Sequence, residues 1–263
     1  MTVARVTIVS HPDKPGVPEL GTELTRTLAA RGVDVVDEEP DLVLSLGGDG
    51  TMLRAAHIAH AADALLLGVN RGLLGYLTEV EGGHEQDALE RVLSDDYVVE
   101  ERMMLSCRVA GQPGRADLVG LNEVLIERAA RYRVVRLSVT VGGERLAGFN
   151  ADGVIVATPT GSTAYALSAG GPIVSPRAQC IVLVPVSAHM IFARPFVLAP
   201  DEVVEIFLES RDVASLSLDG EPAGDLREDD CVVVKRHPRP LKLVRLSGPG
   251  FVARLRTKLQ LPD

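Results

Sequence analysis

Five residues, Gly47-Gly48-Asp49-Gly50-Thr51, follow an apolar run at 42–46 and open an alanine-rich stretch. A strand that ends in glycines and feeds a helix collects phosphate oxygens. The first helical amides have no intrahelical acceptor there, and the helix dipole favours negative charge. Glycines lack Cβ atoms, so their backbone can approach a phosphate closely. Asp49 is out of place in a plain anion cradle: a carboxylate beside phosphates is repelled unless it binds a metal or takes a proton, which points to catalysis. Taken alone, Gly-Gly-Asp-Gly reads equally well as a tight turn closed by an Asp cap.

A second segment follows the apolar run at 154–157: Thr158-Pro159-Thr160-Gly161-Ser162-Thr163-Ala164-Tyr165-Ala166-Leu167-Ser168-Ala169-Gly170-Gly171-Pro172. So many hydroxyls and glycines beside one aromatic favour a ligand loop over a surface loop. Small side chains permit close approach, hydroxyls and amides offer hydrogen bonds, and Tyr165 offers a ring to stack on. Ser162 lacks the flanking glycines of a nucleophile elbow. Asn122-Glu123 and Asp152-Gly153 each sit at the start of a β run, where an amide or a carboxylate projects from a strand end. Asn70-x-Gly72-x-Leu74-Gly75-Tyr76-Leu77 follows an apolar strand, as a ligand loop at the carboxyl end of a parallel sheet does. His57 and His60 share a helix face but lack a third ligand at matching spacing, so they read as ordinary surface or half-buried histidines. The acidic stretch 225–230 reads as a solvated loop.

These segments need a scaffold, and the periodicity changes once along the chain. Apolar runs at 3–10, 42–46 and 64–69 alternate with helical patterns at 20–31 and 51–62, with a further helix at 85–93, which implies parallel α/β layering. From about residue 97 the pattern becomes short Val/Ile/Leu runs with period-two alternation, at 121–127, 134–141, 203–208, 214–218 and 231–235. No Pro/Gly/Ser linker marks the change, so a site between the two halves is the expectation.

Composition narrows the function classes. The 263 residues are 46% hydrophobic and carry a net charge of −9, which argues against a phosphate-backbone surface and so against nucleic acid as a partner. The apolar start is cut off by His11-Pro12-Asp13, short of an export signal, and the run at 181–192 is too short to span a bilayer. Cys107, Cys180 and Cys231 sit singly in apolar or β-branched runs and read as reduced thiols. A cytoplasmic enzyme without a membrane partner is expected.

Taken together, residues 47–51, 70–77, Asn122-Glu123, Asp152-Gly153, 158–172, His189 with Arg194-Pro195, Asp219-Gly220 and the tail Leu255-Arg256-x-Lys258-Leu259 occur in the order found in NAD kinases. The chain resembles that family from about residue 3 to 259. The Gly-Gly-Asp-Gly-Thr piece is shared with lipid kinases and phosphofructokinases, whereas Thr-Pro-Thr-Gly-Ser-Thr-Ala-Tyr is specific.

The resemblance implies an α/β plus all-β fold: a Rossmann-like α/β domain at 1–98, a β-sandwich at 99–250, and a tail at 251–263 returning to the first domain. It implies transfer of a phosphoryl group to the adenosine 2′-hydroxyl of NAD, with Asp49 as base. The donor is ATP or polyphosphate, and a divalent metal, Mg²⁺ by preference, is required. Asn122, Thr163 and Ala164 are expected around the adenine, Glu123 near ribose hydroxyls, and Asp152, Tyr165 and Ser168 near the nicotinamide half. Gly50 and Tyr76 belong to the same NAD set, and Gly47, Gly48, Thr51, Thr160, Gly161 and Ser162 to the phosphate and nucleotide loops. A homodimer or homotetramer is implied as well.

The chain departs from the family pattern at Glu221, where Gln is usual, at Ala188, where Pro is usual, at Tyr76, where Phe is frequent, and in lacking a Trp after Leu259. None of these touches the expected base, and Glu221 bears on metal or donor preference. A lipid kinase fits poorly with Asn122-Glu123 and the Tyr165 segment. A non-catalytic dinucleotide sensor gains nothing from Asp49.

Overall fold

The computed structural model describes residues 3–70, 75–111, 117–130, 133–188 and 194–261; Gly72, Leu74, His189 and Met190 lie outside the described residues. The chain divides into two compact units, residues 1–102 with 241–263, and residues 103–240.

The first unit opens with β1 (Arg5–Ser10), α1 (Val17–Ala30), β2 (Asp34–Val35), β3 (Leu42–Leu46), α2 (Asp49–Ala61), β4 (Leu65–Asn70), β5 (Val80–Glu81), α3 (Glu85–Leu93) and β6 (Val98–Arg102). Strands β1, β3 and β4 are parallel neighbours in one register, Ser10 beside Leu46 and Leu46 beside Val69, so their carboxyl ends share one edge. Strands β3 and β4 are buried along their whole length, which is why they read as unbroken apolar runs. Leu20, Leu24 and Leu28 of α1 and Ala88, Leu89 and Val92 of α3 share a core with Leu42, Leu44 and Leu46. Helix α2 instead buries Met52, Ala55, Ala56 and Ala59, and a Cβ on Gly68 of β4 would collide with the Met52 sulfur. Helix α1 starts at Val17, three residues before the expected start, because Gly16 at φ 75° turns the chain and Pro18 suits the first turn.

The second unit contains β7 (Leu105–Val109), β8 (Leu118–Gly120), β9 (Glu123–Arg128), β10 (Val135–Val141), β11 (Glu144–Ala151), β12 (Gly153–Ala157), a 3₁₀ turn (Gly161–Thr163) and α4 (Tyr165–Ser168). It continues with β13 (Ile181–Val186), β14 (Phe196–Leu198), β15 (Val204–Leu208), β16 (Ala214–Leu218), β17 (Glu221–Leu226) and β18 (Cys231–Arg236). One sheet has the order β11-β10-β15-β18-β7-β8, the other β14-β13-β12-β9-β16-β17. Leu137, Val139, Ile206 and Val232 of the first sheet and Val124, Ile126, Val154 and Val156 of the second belong to one core, the packing of a β-sandwich. The second sheet has another covered face. Ile155, Ala157, Val182 and Val184 form a separate cluster with Ala166 and Cys180, so the hydroxyl-rich segment lies on the outside of the sandwich.

The chain then returns with β19 (Leu241–Arg245) and α5 (Phe251–Leu259). Strand β19 lies between β4, to which it is parallel, and β6, to which it is antiparallel. This corrects the expected 99–250 domain: residues 99–102 and 241–250 are part of the first unit. The cause is backbone pairing. The first sheet needs a partner for the open edge of β4, and a five-residue Leu/Val/Lys alternation satisfies that edge as well as it would a sandwich strand.

Candidate active site

The Gly-rich turn lies at the carboxyl edge of the first sheet. Gly47 N–H donates to the Val69 carbonyl (2.9 Å), and Thr51 and Met52 amides both reach back to the Gly48 carbonyl, which starts α2 at Asp49. Gly47 must be a glycine because a Cβ would overlap the Thr51 side chain. Thr51 Oγ1 is itself buried with no hydrogen-bond partner among the described residues, a polar group left for something the protein alone does not supply.

Asp49 is half-buried, and its carboxylate is held from the far side by two amides, Tyr76 N–H to Oδ2 and Leu77 N–H to Oδ1, each at 3.2 Å. This corrects the expectation that no departure from the family pattern touches Asp49: Tyr76 does so through its backbone, where the side chain is not involved. The Gly75 backbone presses on the same carboxylate so closely that a Cβ there would collide with Oδ1. Gly75 N–H donates to Thr78 Oγ1 (2.8 Å), folding residues 75–78 into a turn around the acid. The Tyr76 phenol is pushed upward by burial first and by the Asp49 charge second. Asp49 therefore sits in the first turn of a helix with two backbone donors behind it. A carboxylate so placed can accept a proton from a hydroxyl presented at its open side.

Sequence reasoning missed Lys14. From the loop after β1, its ammonium donates to Asn70 Oδ1 at the end of β4 (2.9 Å), and β3 with its Gly47-Gly48 turn lies between those two strands. This places a cation at the same carboxyl edge of the sheet as the turn. A lone lysine between Pro12 and Pro15 carries no pattern by which it can be found.

In the second unit, Asp219, at φ 51°, accepts amides from Leu121 (2.7 Å), Asn122 (2.7 Å) and Glu123 (3.1 Å). This fixes the Asn122-Glu123 corner. Burial, helped by the Asp219 charge, pushes the Glu123 carboxyl up to about 7, and its Oε2 has no partner among the described residues. A buried carboxyl with an unused oxygen is equipped to meet a ligand hydroxyl.

The segment 158–168 packs on that corner. Thr158 N–H bonds the Asn122 carbonyl (2.9 Å), Thr158 Oγ1 donates to the Leu121 carbonyl (2.6 Å), and a Cβ on Gly161 would overlap the Asn122 carbonyl. Here the structure revises the reading of the hydroxyls. Ser162, fully buried, donates to the Pro159 carbonyl (2.7 Å) and accepts the Val174 amide (3.0 Å), and Thr163 donates to the Thr160 carbonyl (3.2 Å). Several of the hydroxyls thus fold the loop. What the segment leaves half-exposed or exposed is Thr163, Ala164, Tyr165, Leu167 and Ser168, while Thr160 is buried. Asp152 is paired with Arg128 (2.6 Å), and its charge, after burial and Glu127, helps raise the Tyr165 phenol. Asp152 and Tyr165 thus share one neighbourhood.

Among the described residues no group of three or more His, Cys, Asp or Glu side chains is placed to hold a metal ion. The acidic stretch 225–230 is partly strand: Asp225 and Leu226 end β17, with Leu226 buried, and Asp230 caps the Arg227 amide (2.7 Å).

Comparison with known proteins agrees with this geometry. Residues 35–97 match the ATP-NAD kinase N-terminal domain and residues 121–246 the ATP-NAD kinase C-terminal domain. NAD kinase 1 of Streptomyces avermitilis is 37% identical over the whole chain and 89% of its own length, and the NAD kinase of Leifsonia xyli subsp. xyli is 44% identical over 93% of the chain and 80% of its own length. Among solved structures, yeast NADH kinase complexed with NADH superposes with a TM-score of 0.91 at 25% identity, covering 100% of this chain and 89% of that one. An NAD kinase from Archaeoglobus fulgidus in complex with ATP gives a TM-score of 0.75 at 25% identity and 97% coverage of both chains. With two matched domain models spanning both halves, the chain belongs to the NAD kinase family.

Proposed function

We propose that the protein phosphorylates the adenosine 2′-hydroxyl of NAD at the expense of ATP, with Asp49 as the general base. The observation that carries this is the Asp49 carboxylate itself, gripped on one side by the Tyr76 and Leu77 amides and open on the other at the start of α2. Phosphoryl transfer asks for aligned phosphates, neutralised charge and a base for the attacking hydroxyl. The Gly47–Gly50 amides and Lys14 are suited to the donor phosphates, Asp49 to the proton. In the second unit Asn122, Thr163 and Ala164 take the adenine end, Glu123 the ribose, and Asp152, Tyr165 and Ser168 the nicotinamide half. The buried, unpartnered Glu123 Oε2 supports the ribose assignment.

The reaction runs as proton transfer from the 2′-hydroxyl to Asp49 while the oxygen attacks the γ-phosphorus and the ADP oxygen leaves. A divalent cation, Mg²⁺ by preference, would screen the donor phosphates and the leaving ADP. Asp49 is the carboxylate present at the turn, a set that suits an ion held mainly by phosphates and water. Inorganic polyphosphate presents the same terminal phosphoryl group to the turn and is the alternative donor.

A cytoplasmic setting and a homodimer or homotetramer complete the reading. The three cysteines are buried free thiols, and no helix among the described residues is long and apolar enough to cross a membrane. Incubating the purified protein with NAD, ATP and Mg²⁺ and measuring NADP tests the reading. Absence of NADP, or full turnover by Asp49→Asn, overturns it.

A further inference from the structure

Helix α5 buries one residue fully, and that residue is Arg254, 4% exposed. A docking helix ordinarily buries an apolar stripe, and a buried guanidinium is costly unless each of its donors is used. The hydrogen bonds of Arg254 go to backbone carbonyls and to one carboxylate. Nε donates to the Pro249 carbonyl (2.7 Å), one terminal nitrogen to the carbonyls of Gly75 (3.2 Å) and Thr78, and the other to Glu79 Oε2 (2.8 Å). Glu79, equally buried, is shared with Arg245 (2.8 Å) and accepts the Leu246 (2.9 Å) and Gly248 (3.1 Å) amides.

The Gly75 carbonyl and the Tyr76 N–H belong to one planar peptide unit. In a trans peptide they point in opposite directions, and no cis peptide bond occurs among the described residues. That single rigid plane therefore has Arg254 on its carbonyl side and Asp49 on its amide side. The Thr78 carbonyl fixes the other end of the same turn. The two ions also feel each other directly: burial and Arg245 lower the Arg254 pKa, and the charges of Glu79 and Asp49 oppose that fall.

We propose that Arg254 is the positioning residue for Asp49, clamping the Gly75–Tyr76 peptide plane so that its amide stays aimed at the carboxylate. The proposal rests on the reading of Asp49 as the base. A lysine cannot replace the planar fork that reaches three carbonyls and a carboxylate at once.

The test compares Arg254→Lys and Arg254→Met with Arg245→Met, which removes a neighbouring cation from Glu79 without touching the turn. NADP formation is measured over a range of NAD concentrations at saturating MgATP, well below each variant's melting temperature, as kcat and KM. Both Arg254 variants should lose about 10- to 100-fold in kcat with KM for NAD within about 2-fold, since a misplaced base slows the chemical step and leaves binding intact. Arg245→Met should melt earlier yet keep kcat within about 2-fold. If Arg254→Met does not accumulate, Arg254→Met/Glu79→Gln, which leaves no buried charge stranded, is measured with the same expectations. Wild-type kcat in a folded Arg254→Met protein, or an equal kcat loss in Arg245→Met, overturns the proposal. A wild-type enzyme that makes no NADP instead defeats the assignment of function, so the two failures are told apart.

Discussion

The turn at 47–51 puts its chemistry on one side chain and takes its geometry from distant segments, whereas the loop at 158–168 is dense in polar side chains and uses several of them on itself. Asp49 is oriented by residues 75–78, which are in turn gripped from α5. Thr158, Ser162 and Thr163 close their bonds within the second unit, on carbonyls of residues 121, 159 and 160. A single reactive carboxylate needs external support on every side but one. A binding loop needs internal rigidity, so that what remains exposed, Tyr165 and Ser168 among it, is presented without an ordering cost on binding.

If the first region acts on the chemical step and the second on binding, perturbations should split between kcat and KM. Asp49→Asn gives the largest effect, at least ~100-fold in kcat with NAD still bound, as isothermal titration can verify. Gly75→Ala drives a methyl group into Asp49 Oδ1 without touching its charge, and should cost roughly 10- to 100-fold in kcat at near-normal KM. The matching change in the other region, Gly161→Ala, drives a methyl into the Asn122 carbonyl and should raise KM for NAD by about 10-fold with a smaller kcat loss. If Gly161→Ala falls mainly on kcat, the division between the regions is wrong.

The smallest effect is one of pH. The Glu123 carboxyl is raised to about 7 in the folded protein from an ordinary 4.5, so its protonated form is the one the fold favours. Its contribution to stability is complete below the unfolded value, declines as pH rises from 4.5 toward about 7, and is gone above that. Glu123→Gln cannot ionise, so its melting temperature relative to wild type should climb by several degrees between pH 5 and pH 8 in the absence of nucleotide, as thermal scans at the two pH values would show. A flat difference across that range would mean that Glu123 is not held neutral.

Much of this was legible in the sequence where the signal is local. Residues 158–172 read as a ligand loop within one contiguous segment and residues 47–51 read equally as an anion cradle or a capped turn, while the change from helical to alternating periodicity separates the α/β half from the β half. What escaped depends on long-range closure. Arg254 meets Gly75 across 179 positions and Lys14 meets Asn70 across 56, and neither cation sits in a patterned segment. Residue type tells what the hydroxyls of Ser162 and Thr163 can bond, and only the fold shows that each also bonds a carbonyl of its own loop. The placement of β19 failed for a similar reason: its alternation specifies a strand and says nothing about which sheet has an open edge.

That placement bears on how the molecule is made. A ribosome that has delivered residues 1–102 has produced β4 and β6 but not the strand that separates them, and a further 138 residues of sandwich must emerge before β19 does. The sandwich, continuous in the chain, can mature during synthesis, while the first sheet waits with a vacant slot and Glu79 lacks both of its cations. Helix α5, which grips the turn behind Asp49, is made later than the whole sandwich, so the proposed base gains that support only once residue 254 has emerged.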